Sequence, residues 1–270
     1  MKTPALILVH GYPFDHTLWD HVIPLLGTGV EVWAPDLRGF GGAPVNGEEP
    51  ALGRMADDIR ALLDQHNLGR VVLAGMSMGG YVALAFADHY PGRLAGLGLI
   101  SSQTYADSDE ARANRRAMIQ KIRRDGVAVA AKAAVAKTFA PANSQRPELA
   151  RFPIAGAEKA GSEGLAWALE AMARRPDRST VLKELRIPTL IVHGLEDQFI
   201  PTERVRQMAS LATDGRLVEI PGAGHATPLE APQPVAEALL DLVRRSSEQA
   251  ASSAGSARAE AEWEGTGKTA

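Results

Sequence analysis

The sequence predicts an α/β fold, an open and mostly parallel twisted sheet of about six strands flanked by helices, with an inserted helical cap. Three observations carry this. Six short runs are continuously apolar rather than alternating, the pattern of strands covered on both faces. Helical spacing recurs between them, and alternating strand and helix implies right-handed crossovers within one sheet. One long stretch breaks the alternation and holds only helical patterns.

The elements follow in order. The first two runs are ALILVH (5–10) and VEVWAP (30–35). Leu52, Met55, Ile59, Leu62 and Leu63 then fall at helical spacing before the third run, VVLAG (71–75). Val82, Leu84, Ala85 and Phe86 give part of a helical face after it, and GLGLIS (96–101) is the fourth run. Between Ser102 and Arg186 no strand is read. That stretch carries Ala- and Arg-rich helical patterns at 111–124, 127–139 and 163–175, punctuated by Pro141, Pro147, Pro153 and Pro176. TLIVHG (189–194) resumes the sheet, Val205, Met208, Ala209 and Leu211 mark a helix, and RLVEIP (216–221) is the sixth run. Pro234 suits the first turn of a last helix through Ala236, Leu239, Leu240 and Val243. Beyond Arg245 the chain turns to Ser, Ala, Glu and Gly, too little apolar surface to offset the entropy of ordering. The expected organisation is a core of residues 1–101 and 187–245, a helical cap of 102–186 and a flexible tail of 246–270.

Composition bounds the function. The chain has 270 residues, 45% of them hydrophobic, which suits a sizeable core. A net charge of -3 gives no general attraction to nucleic acid or anionic membrane. No apolar run approaches the roughly 20 residues that span a bilayer. Met1–Pro4 leads straight into the first strand without the pattern of a signal peptide, so a cytoplasmic location is expected. Without cysteine there is no disulfide, no thiolate catalysis and no Cys-ligated zinc. The cations on residues 111–124 read as a solvated helix face balanced by Asp107, Asp109, Glu110 and Asp125.

In open parallel sheets, ligands bind outside the carboxyl ends of the strands. Gly75-Met76-Ser77-Met78-Gly79 falls there, between the third strand and its helix. A sharp strand-to-helix turn holds a serine backbone in strain and exposes its Oγ, and Gly75 and Gly79 keep side chains out of the crowded turn. The helix N-terminus adds free N–H groups and partial positive charge. A serine between glycines also caps helices, so partners must decide. The hydroxyl needs a base. Of seven histidines, only His225 sits in a long rim loop after the last strand; His10 and His193 end strands and read as loop braces. The acid that orients His225 should also follow a strand, and Glu196 and Asp197 both do, with Asp107 a distant third. The oxyanion needs two donors: the N–H of Met78, next after the serine, and the N–H of Tyr12 in the loop after the first strand. Met76, Phe139 and Trp167 are expected to line the substrate pocket.

The stretches LVHGYP, APDLRGFGGA, LAGMSMGGYVALAFA, IPTLIVHGLEDQFIP and IPGAGHATPLEAP together resemble the α/β-hydrolase superfamily, over nearly the whole chain to about residue 245. The resemblance implies that the acid is the Asp of Gly194-Leu195-Glu196-Asp197, and that Tyr12, after His-Gly, gives the second oxyanion N–H. Haloalkane dehalogenases and epoxide hydrolases carry Asp where this chain has Ser77, so it is similar instead to ester and lactone hydrolases. The cap resembles that of the 3-oxoadipate enol-lactonase-like group. Many relatives have a β-hairpin before the His-Gly strand; here the chain starts almost at that strand. The implied function is a Ser-His-Asp carboxylic ester or lactone hydrolase with no metal or organic cofactor. Its partner is a small ester or lactone, not nucleic acid or membrane, with a homo-oligomer left open. The same triad also fits C–C bond hydrolysis, perhydrolysis or acyl transfer. The fold also serves non-catalytic ligand binding, against which the intact Ser77, Asp197 and His225 argue.

Overall fold

The computed structural model describes the backbone of residues 3–266 and the side chains of residues 3–252. Six strands form one parallel sheet in the order β2-β1-β3-β4-β5-β6. They are β1 (Leu6–Val9), β2 (Val32–Trp33), β3 (Val71–Met76), β4 (Leu94–Ile100), β5 (Thr189–Gly194) and β6 (Gly215–Ile220). The chain steps outward from β1 to β2, then returns past β1 to β3, so the order reverses between β1 and β3. That reversal opens a crevice at the carboxyl ends of these two strands.

Alternation within the buried strands feeds two cores. Val71 and Leu73 of β3 face one, with α1 (Leu52–Gln65) and α2 (Met78–His89). Val72, Ala74 and Met76 face the other, where α9 (Pro232–Thr266) contributes Val235, Leu239 and Leu242. Both faces of the central strands β1, β3, β4 and β5 are thus dry, as their unbroken apolar runs require, whereas β2 and β6 at the edges are only partly buried.

Two strands depart from their expected bounds by more than one residue. β2 is an edge strand pairing only through Val32 and Trp33, and Pro35 beyond it has no N–H to give the ladder. β4 begins at Leu94, ahead of the expected start, because an irregularity in its pairing with β3 lets Leu94 pair with Val71 before Gly96 meets Val72.

Between β4 and β5 lie α3 (Asp109–Asp125), α4 (Ala128–Thr138), α5 (Pro147–Ala173) and α6 (Ser179–Glu184). α5 runs through Pro153, expected as a breaker, and is interrupted instead at Gly161, whose φ of 64° is left-handed. It lies over the crevice loops: Gly156 meets the backbone of Phe14, and Gly164 that of Gly39. The remaining helices are α7 (Thr202–Ala209) and α8 (Thr227–Glu230).

The boundary expected after Arg245 is corrected, because α9 continues unbroken past it. Ser246 is 1% exposed beside Gly96, and its hydroxyl donates to the Leu242 carbonyl at 2.8 Å. Gln249 Nε2 donates to Arg186 O at 2.9 Å. A small hydroxyl satisfied within its own helix packs where its polarity alone suggests solvent. For the side chains from 253 onward the expected flexibility lies outside the described residues. Among the described residues, no helix is long and apolar enough to cross a membrane.

Candidate active site

The turn from β3 into α2 leaves room for little but glycine. A Cβ on Gly75 would overlap the Gly79 carbonyl and lie 2.6 Å from Gly80 N, and one on Gly79 would lie 2.7 Å from His10 O. Ser77 takes the strain at φ 52° and ψ -112°. The turn is held from behind: Ser77 N donates to Ile100 O at 2.8 Å, and Ser102 Oγ donates to Ser77 O at 2.9 Å. The Ser77 side chain is left facing the rim.

There the structure joins three of the sequence-derived residues. Ser77 Oγ lies 2.8 Å from His225 Nε2, and His225 Nδ1 lies 2.7 Å from Asp197 Oδ2. A carboxylate only accepts, so Nδ1 carries the proton and Nε2 is free to accept from the serine hydroxyl. The Asp197 side chain has no exposed surface and also accepts from Phe199 N at 2.7 Å and Ile200 N at 3.2 Å. Burial pushes its carboxyl up, but His225 and the two N–H groups outweigh this and hold it below the usual carboxylate range. Glu196 is exposed. Asp107 is engaged elsewhere, with Arg115 at 2.5 Å and Arg175 at 2.7 Å.

The expected oxyanion donors sit on either side of the serine. Met78 N opens α2, where no preceding turn supplies an acceptor. Gly11 abuts the serine so closely that a Cβ there would lie 3.3 Å from Ser77 Cβ, which brings the Gly11–Tyr12 loop against the turn. Among the described residues, neither Tyr12 N nor Met78 N donates to a backbone carbonyl outside the regular helices and strands. His10 fixes this loop, as expected of a brace: Nε2 accepts from Leu37 N at 3.0 Å, leaving Nδ1 to donate to Gly11 O at 3.0 Å. Burial holds the His10 ring below the usual imidazole range, keeping it neutral for both bonds. The Tyr12 ring meets Phe40 edge-on, and its buried hydroxyl has no hydrogen-bond partner among the described residues.

Two of the three expected pocket residues are corrected. Met76 is fully buried and Phe139 is 1% exposed, so neither offers surface to a substrate. The pleat turns Met76 away from Ser77, into the core shared with Val72 and Ala74. Trp167 donates Nε1 to Glu48 O at 2.8 Å. It lines a cavity of about 550 Å³ with Pro50, Arg116, Ile119 and Glu170, in whose lining none of Ser77, Asp197 and His225 takes part.

Sequence reasoning missed two contacts. His193 is fully buried, with Nε2 3.1 Å from Thr202 Oγ1 and Nδ1 3.9 Å from Asp197 Oδ2, so its ring backs the acid. The backbone of His225 donates to Thr138 O at 2.8 Å, a carbonyl of the inserted helices. The first was legible as a histidine four residues before the acid; the second, between residues distant in sequence, was not. Asp15, His16 and Asp36 offer ligand atoms within 4.8 Å of one another. Lys159 already neutralises Asp15 at 2.6 Å, and His16 Nδ1 is spent on Asp36 at 2.9 Å, so these side chains are already partnered within the protein.

A family model described as alpha/beta hydrolase fold matches residues 4–232. The chain is 28% identical over 256 residues to a pimeloyl-[acyl-carrier protein] methyl ester esterase of Aromatoleum aromaticum, covering 90% of this chain and 100% of the relative. It is 26% identical to 3-oxoadipate enol-lactonase 2 of Acinetobacter baylyi, covering 90% and 89%. Among solved structures, a thermophilic esterase from Thermogutta terrifontis superposes with a TM-score of 0.86 at 37% identity, covering 90% of each chain.

Proposed function

This chain belongs to the alpha/beta hydrolase fold family, and from that premise we propose that it is a serine hydrolase cleaving a small carboxylic ester or lactone through an acyl-enzyme. The observation that carries the reading is the relay Asp197–His225–Ser77, with contacts of 2.7 and 2.8 Å ending on a serine in a strained turn. The esterases and the enol-lactonase among its relatives favour the same class.

The geometry performs the reaction in two balanced halves. As Ser77 Oγ bonds to the substrate carbonyl carbon, its proton passes to His225 Nε2. The carbonyl oxygen becomes an oxyanion and accepts from the N–H groups of Met78 and Tyr12; one such donor contributes about 2.7–4 kcal/mol to lowering the barrier. Asp197 stays ionised and stabilises the imidazolium. The C–O bond to the leaving group then breaks, and His225 Nε2 returns the proton to that oxygen. In the second half, water gives a proton to His225 and attacks the acyl carbon. Collapse returns the proton to Ser77 Oγ and releases the acid.

The test is a parallel screen of aryl esters, simple lactones and enol-lactones with wild type and Ser77→Ala. Turnover of at least one class by wild type, lost in the variant, supports the reading. No turnover across the panel, or turnover undiminished in Ser77→Ala, overturns it.

A further inference from the structure

Glu230 closes α8, five positions after His225, and among the described residues its carboxylate accepts only from neutral groups. Oε1 accepts from Gly224 N at 3.0 Å, the N–H immediately before His225. Oε2 accepts from Ala140 N at 2.7 Å and from Asn143 Nδ2 at 2.9 Å. No Lys or Arg pairs with it among the described residues. Bonds to an ionised acceptor are roughly twice as strong as neutral ones, so one side chain joins the His225 loop firmly to the segment 138–143, the end of α4 and the start of the loop to α5.

The same two segments meet along their backbones. Thr138 O accepts from His225 N at 2.8 Å and from Ala226 N at 3.2 Å. Asn143 Nδ2 also reaches Gly222 O at 3.2 Å, and a Cβ on Gly224 would lie 2.7 Å from the Phe139 carbonyl carbon. His225 is therefore held from two directions. Its ring rests on Asp197 of the sheet rim, whereas its backbone hangs from the helical insertion.

We propose that Glu230 is a positioning residue that couples the seating of the inserted helices to the reach of His225 for Ser77. This rests on the reading of His225 as the general base. A shift of segment 138–143, such as a substrate entering beneath the insertion would impose, moves the backbone from which the imidazole projects. Displacements of about 1 Å at a reacting group cost up to about 10²-fold in rate. The insertion then sets the activity of the base as well as the shape of the pocket.

Glutamine cannot replace this carboxylate. Both Glu230 oxygens face N–H donors, and the amide NH₂ of Gln would oppose one of them. The test compares wild type, Glu230→Gln, Asn143→Ala and the double variant. Two rates are read with a short p-nitrophenyl ester and a fluorophosphonate: ester turnover, and phosphonylation of Ser77. Both are read at a temperature where unfolding curves show every variant folded. The expected result is a loss of about tenfold or more in both rates for Glu230→Gln. Asn143→Ala shows a smaller loss in the same direction, and adds little in the Glu230→Gln background. Rates within twofold of wild type in folded Glu230→Gln, or losses from the two substitutions that multiply, overturn the proposal while leaving the serine hydrolase reading intact. A wild type without Ser77-dependent turnover overturns both.

Discussion

The Asp197 carboxylate accepts the Nδ1 proton of His225 at 2.7 Å from a side chain with no exposed surface, while its neighbour Glu196 is exposed. Chain adjacency gave the two acids equal standing; the turn after β5 separates them. Asp197→Asn puts an NH₂ or a neutral oxygen against Nδ1 and favours the wrong tautomer. Turnover is expected to fall about 10⁴-fold. Glu196→Gln stays within about twofold, as for a surface change away from the chemistry. Steady-state kinetics of both variants check this.

Gly79 sits where the β3–α2 turn passes beneath the β1 loop, with His10 O 2.7 Å from where a Cβ would stand. Gly79→Ala forces backbone apart from backbone and is expected to cost about 1–3 kcal/mol of stability by overpacking. Activity should fall as well, because the same shift moves Ser77 relative to the Tyr12 N–H. Denaturant unfolding and turnover, measured on one preparation, read the two effects separately.

Asp107 supports the insertion electrostatically. Burial pushes its carboxyl up, but Arg115 and Arg175 outweigh this and leave it below the usual range. The folded state thus takes up this proton less readily than the unfolded chain. Its contribution is complete above the unfolded value of about 3.9, and is lost as pH falls through the lower folded value. Asp107→Asn is expected to cost about 3–5 kcal/mol near neutral pH, because the deeply buried Arg175 loses its anion. That gap should begin to narrow as pH drops below about 4, as urea unfolding from pH 3 to 7 would report.

The continuation of α9 gives a prediction at the other end of the chain. Ending the chain after Arg245 removes Ser246 from beside Gly96 and the bond from Gln249 to Arg186 O. A loss of about 1 kcal/mol or more follows, read by thermal unfolding. Ending it after Ser252 keeps both contacts and should retain them in full.

The grouping of Ser77, Asp197 and His225 was legible in the sequence because each stands just past a strand, where a short motif and a fold rule coincide. Ser77 lies past β3, Asp197 past β5 and His225 past β6. Met76 failed as a pocket residue for a reason the sequence itself contains: period-two alternation in β3 puts it with Val72 and Ala74, away from the serine. Glu230 and Thr138 were not legible. Their partners lie in another part of the chain, Ala140 being 90 positions from Glu230, and no local pattern announces a bond across that separation. The early end of β2 and the late end of α9 depend on pairing and packing that composition alone does not report.

Ser77 is proposed as the nucleophile, and covalent labelling tests that role directly. The protein is treated with a fluorophosphonate, and its peptides are read by mass spectrometry as ester hydrolysis decays. A single phosphonyl adduct on Ser77, growing in step with the loss of turnover, is the predicted result. Full turnover with Ser77 unmodified, or an adduct on another residue that tracks inactivation, would contradict it.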